Sequence, residues 1–162
     1  MINTKSKTGL AFLWLSAVVF CVDLATKYLV IKNFALYDSI SILPVFNLTY
    51  VRNYGAAFSF LADHSGWQKL FFITLAIVIS GVLIYFLYQN TKCKLLQNAA
   101  YSLIIGGALG NAMDRAYNGF VIDFFDFYWR DWHYPVFNVA DIGITIGAML
   151  LIIDSFKSKN DK

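Results

Sequence analysis

The chain reads as an α-helical membrane protein: four transmembrane helices, a small β-sheet outside the bilayer, and an amphipathic aromatic segment at the same outward surface. Three observations lead there. The 162 residues are 59% hydrophobic and only 14% charged, with a mean hydropathy of +0.58, too apolar for a soluble domain of this size. Aromatic residues make up 18%, and Trp and Tyr favour the boundary between lipid and water. Lysines cluster near the N-terminus, at Lys92 and Lys94, and at Lys157, Lys159 and Lys162, as cytoplasmic ends of an even number of spans should.

The first span, about 10–31, is a near-continuous apolar run preceded by Lys5 and Lys7, and its length favours a retained helix over a cleaved signal peptide. Asp23 and Lys27 interrupt it on one face, four residues apart. They form either a self-neutralising pair that snorkels outward or a pair that supports an active site. From 32 to 67 the sequence turns polar, alternates at Ser39-Ile40-Ser41-Ile42 and carries the β-rich run Phe46 to Val51, which predicts the small extramembrane sheet. Asn53 and Gly55 then serve as turn residues, or Asn53 supplies an amide that holds a peptide backbone.

The second span, about 69–88, has no charge between Lys69 and Lys92 and reads as scaffold. The third, about 97–115, is Gly-rich, and the Gly106 to Gly110 spacing lets another helix approach closely. It ends in Asn111, Asp114 and Arg115; Asn111 and Arg115 share a face, while Asp114 and Arg115 form either an interfacial ion pair or part of a polar site. The fourth span is about 138–156. Four spans place both termini in the cytoplasm, with 32–67 and 116–137 outward, all within one domain, 1–162.

Cys21 and Cys93 lack CxxC spacing and read as filler or surface thiols, and the isolated His64 and His133 offer no metal ligand set. No metal, cofactor or nucleic-acid partner is expected. All ten acidic residues are Asp, and polar groups from three spans converge on the outward side. Asp141 suits a helix N-terminus, three residues after a capping Asn138. Asp123, Asp126 and Asp131 suit solvated charges on a segment whose Phe124, Phe125, Phe127, Tyr128, Trp129 and Trp132 dip into lipid. Residue chemistry alone does not choose among these four. Any two held face to face in a poorly solvated site would share a proton. One could then activate water while the other protonates a carbonyl.

Taken together, Asp23-x-x-x-Lys27, Asn53-Tyr54-Gly55-Ala56-Ala57-Phe58, Gly106 to Arg115, Val121-Ile122-Asp123-Phe124 and Phe137-Asn138-Val139-Ala140-Asp141 resemble the lipoprotein signal peptidase (signal peptidase II) family over nearly the whole chain. The resemblance implies a bacterial inner-membrane aspartic endopeptidase, which removes the signal peptide of prolipoproteins before a diacylglyceryl-modified cysteine. It maps the catalytic pair onto Asp123 and Asp141, substrate contacts onto Asn53, Gly55, Asn111, Arg115 and Asn138, and support onto Asp23, Lys27 and Asp114. It also implies a β cradle on the membrane, a movable cover at 116–137, and a monomer whose partners are membrane lipids and the lipidated substrate. Asp126 and Asp131 become interfacial charges. Two other classes compete: a proton-coupled transporter relaying through Asp23, Lys27, Asp114 and Asp141, and a scaffold that offers its Gly106 and Gly110 face to a partner helix.

Overall fold

Four long helices and one antiparallel sheet alternate along the chain. The computed structural model describes residues 8–55 and 67–160, without the side chains of 158–160. Ala56, Ala57, Phe58 and His64 lie outside the described residues, as do Lys5, Lys7 and Lys162. A short 3-10 turn, Gly9–Phe12, leads into α1, Leu13–Asn33. Strands β1, Ser39–Leu43, and β2, Phe46–Asn53, precede α2, Trp67–Gln89, and α3, Leu95–Asn118. Strands β3, Val121–Trp129, and β4, Trp132–His133, precede α4, Val139–Asn160.

Among the described residues, three stretches are long and apolar enough to cross a membrane: Gly9–Asn33, Trp67–Gln89 and Val139–Lys157. Apolar side chains cover their outer surfaces, among them Trp14 and Val18 on α1, Ile77 and Val78 on α2, and Ile146 and Ile153 on α4. Such a surface suits lipid rather than water. Helix α3 differs because it packs against all three of the others. Its partners are protein, so it can carry Asn98, Ser102, Asn111 and Asp114 buried. The Gly106 and Gly110 positions serve this packing inside the chain: a Cβ at Gly106 would meet the Ser16 carbonyl of α1 at 2.6 Å, and one at Gly110 would meet the Asp23 carboxylate at 2.5 Å. The face expected to await a partner helix is filled by α1.

The sheet has the order β1-β2-β3-β4, so β3 is an interior strand. Antiparallel pairing sets Asn53 opposite Val121 and Val51 opposite Asp123. Val30 near the end of α1 packs with Tyr50, Ile122 and Phe124, joining the sheet to the bundle. Gly119, with φ 83°, closes α3 in the left-handed conformation that a side chain would resist. The chain can then reverse directly into β3.

Two expectations are corrected. Residues 116–137 are not an amphipathic cover lying on the surface: β3 is hydrogen-bonded between β2 and β4, and Ile122 and Phe124 are core. Asp126 is not an interfacial charge either, at 4% exposure. It accepts hydrogen bonds from Thr49 at 3.0 Å and Asn47 at 3.4 Å, and pairs with His133 at 2.7 Å. A strand interior demands such partners for a buried carboxylate. Asp131 is exposed in the β3–β4 turn, and Cys21 and Cys93 are exposed free thiols.

Candidate active site

Asp123 and Asp141 line one cavity of about 760 Å³. They come from opposite structural logics. Strand alternation sends Ile122 and Phe124 into the core and Asp123, between them, to the other face. Asp141 stands in the first turn of α4, fixed by a reciprocal cap: its backbone N–H donates to Asn138 Oδ1 at 2.9 Å, and its Oδ2 accepts from the Asn138 N–H at 3.2 Å. The cap expected from sequence and the shared site are thus the same arrangement.

Three asparagine amides address the two carboxyls. Asn138 Nδ2 donates to Asp123 Oδ1 at 2.7 Å and Asn53 Nδ2 to Asp123 Oδ2 at 3.0 Å. Asn111 Nδ2 donates to Asp141 Oδ1 at 2.8 Å. Asp123 is only 2% exposed. Burial pushes its carboxyl up to about 7, and the neighbouring Asp141 adds to the rise, against the amides and the Lys27 charge. At neutral pH such a group both holds and releases a proton, the property that acid–base catalysis needs.

Arg115 is half-buried on the same cavity wall. Its guanidinium donates to the Gly55 carbonyl at 2.7 Å and the Asn111 carbonyl at 3.3 Å, and lies 4.7 Å from the Phe72 ring. Among the described residues, its buried Nε has no hydrogen-bond partner. Asp114 does not pair with Arg115, its neighbour in sequence, because adjacent helical residues diverge. It takes Lys27 instead, at 2.9 Å, and the Ile122 N–H at 3.1 Å. Asp23 lies 2.7 Å from Lys27 and accepts the Ala140 N–H at the start of α4, at 2.9 Å. Lys27, 1% exposed, does not snorkel outward.

Of the residues expected at the site, Asn53, Asn111, Arg115, Asp123 and Asp141 line the cavity, Gly55, Asn138 and Lys27 are each one hydrogen bond from one of these, and Asp23 and Asp114 stand further back, behind Lys27. Sequence reading missed Phe72, which sits in the all-apolar α2 and carries no mark to set it apart from lipid-facing neighbours. The cavity continues along α4 past Ile142 and Ile146 to Met149, about 12 Å at 1.5 Å per residue. One end is polar and the other apolar.

Apolar helices thus hold two carboxyls on one cavity. A family model described as signal peptidase (SPase) II, Peptidase_A8, matches residues 15–157. The lipoprotein signal peptidase of Pasteurella multocida is 70% identical over 158 residues, covering 98% of this chain and 96% of that one. One from Haemophilus influenzae is 69% identical, covering 98% and 92%. A solved bacterial membrane enzyme, determined by the in meso method, superposes with a TM-score of 0.85 at 35% identity, covering 94% of this chain and 91% of that one. The chain belongs to the signal peptidase II family, and the transporter reading has no support from these relatives.

Proposed function

We propose that Asp123 and Asp141 are the catalytic pair of a peptidase that removes the signal peptide from prolipoproteins, cutting before a diacylglyceryl-modified cysteine. The observation that carries this is the two carboxyls on one cavity, each oriented by asparagine amides. One carboxyl takes a proton from water as its oxygen attacks the scissile carbonyl carbon, and the other gives a proton to the carbonyl oxygen. A proton then passes to the departing amine as the C–N bond breaks. The deep burial of Asp123 favours it as the holder of the shared proton, with Asp141 the partner that accepts from water.

Asn53, Asn111 and Arg115 line the cavity and offer donors suited to a substrate backbone, with Gly55 and Asn138 hydrogen-bonded to them. The apolar run toward Met149 suits chain segments that belong in lipid. With α3 as the fourth span, both termini lie in the cytoplasm of a bacterium, and the sheet and cavity lie at the outer face of its inner membrane. Exposed Ile40, Ile42, Trp129 and Trp132 suit the sheet to rest there as a cradle. Asp123→Asn and Asp141→Asn should each abolish cleavage of a lipidated prolipoprotein in purified lipid while the protein stays folded. Near-normal cleavage by either variant would sink the assignment.

A further inference from the structure

Each of the three site asparagines faces a carboxyl with its NH2 group, and an amide can do so only if its oxygen is held the other way. For Asn53 the Gly55 N–H donates to Oδ1 at 3.1 Å, and for Asn138 the Asp141 N–H does so at 2.9 Å. Both are local backbone turns. Asn111, in the middle of a helix, has no free backbone N–H to serve it, because helical N–H groups are taken by their own carbonyls. Its Oδ1 receives Lys27 Nζ at 3.0 Å from another helix, together with the Asn138 amide at 3.2 Å.

We infer that Lys27 is a positioning residue for the reaction, one that locks the Asn111 amide with its oxygen toward α1 and its NH2 toward Asp141. An ammonium only donates. The reversed amide would set NH2 against NH3+ and turn an oxygen on the Asp141 carboxyl, so Lys27, with the Asn138 NH2 beside it, holds the orientation. Asp23 and Asp114 complete the device. With Asn111 they surround the ammonium with three oxygens, two carboxylate oxygens in ion pairs at 2.7 and 2.9 Å and the amide oxygen in a hydrogen bond at 3.0 Å. Packing alone does not call for a charge here, since a buried ion cluster is often replaceable by neutral groups without loss of stability. Asp23 also receives the Ala140 N–H, so the cluster registers the first turn of α4, and hence Asp141, against Asn111.

This inference rests on Asp141 being catalytic, and the test separates the two. Cleavage of a lipidated prolipoprotein is measured in lipid for wild type, Lys27→Met, Asn111→Ala and the double variant. A charge-free Asp23→Asn/Lys27→Met/Asp114→Asn variant is added, in case Lys27→Met alone leaves two carboxylates unpaired and unfolds. Loss of the lysine should lower kcat on the order of 10- to 100-fold with little change in KM, as loss of orienting partners does elsewhere. In the Asn111→Ala background it should change kcat by less than about twofold, because residues acting through one group are not additive. Thermal melts report the structural share separately. A folded charge-free variant with wild-type kcat, or losses that multiply fully in the double variant, would overturn the role of Lys27. Activity retained by Asp141→Asn would instead overturn the catalytic reading beneath it.

Discussion

Asp123 should make the folded protein less stable as pH rises, and Asp123→Asn should remove that effect. Its carboxyl moves from 3.8 to about 7 on folding. A carboxyl raised in the folded state leaves stability intact below about 3.8. Above that value the unfolded chain ionises while the folded one resists, so stability is lost until about pH 7 and is then level. The slope is roughly 1.4 kcal/mol per pH unit over that window. Between pH 5 and pH 7 the loss from Asp123 comes to roughly 2.7 kcal/mol, or about 5–11 °C for a chain of this size. Asn keeps the shape and cannot ionise. Thermal melts in detergent at pH 5 and pH 8 should therefore show wild type falling and Asp123→Asn holding level, with the variant the more stable at pH 8. Parallel curves, or a variant that melts lower at pH 8, would refute the buried-acid account of the site.

Gly110→Ala should destabilise by about 1–3 kcal/mol, as overpacking does, because its Cβ would lie 2.5 Å from Asp23 Oδ2, which pairs with Lys27 while Oδ1 of the same carboxylate accepts the Ala140 N–H; an unchanged melting temperature would show that α1 and α3 can slide apart. Phe72→Leu should raise KM for the prolipoprotein by roughly 2- to 30-fold, the worth of one cation–π contact, and leave kcat nearly unchanged. A fall in kcat at constant KM would mean that Phe72 holds something other than Arg115.

Long, predominantly apolar runs made α1, α2 and α4 legible, since lipid-facing helices need little else. The Asn138–Asp141 cap was legible because its signal is local. Strand β3 was not, although Val121 to Trp129 is rich in strand-favouring residues. Both of its faces meet protein, so Phe124 and Phe125 are apolar alike and the usual alternation is lost. Asp126 then looked like a surface marker, because two of the partners that explain its burial, Asn47 and Thr49, are distant in sequence. The partner of Asp114 lay equally far off, on α1. That Arg115 was not that partner could have been read directly from helix geometry.

Helix α3, polar and enclosed, bears on how the molecule is made. Lipid alone can hold α2, but a bilayer resists an isolated Asp or Arg by about 2.5–3.5 kcal/mol each near its centre. Asp114 gains its counter-charge only when α1 is alongside, and the Asn111 amide finds Lys27, Asn138 and Asp141 only when α1 and the start of α4 are present. Assembly and completion of the site are therefore one event. On the proposed assignment of Asp141, a chain still short of α4 would hold Lys27 and Asp114 together with half of the pair missing, and cleavage should begin only once the last helix has docked.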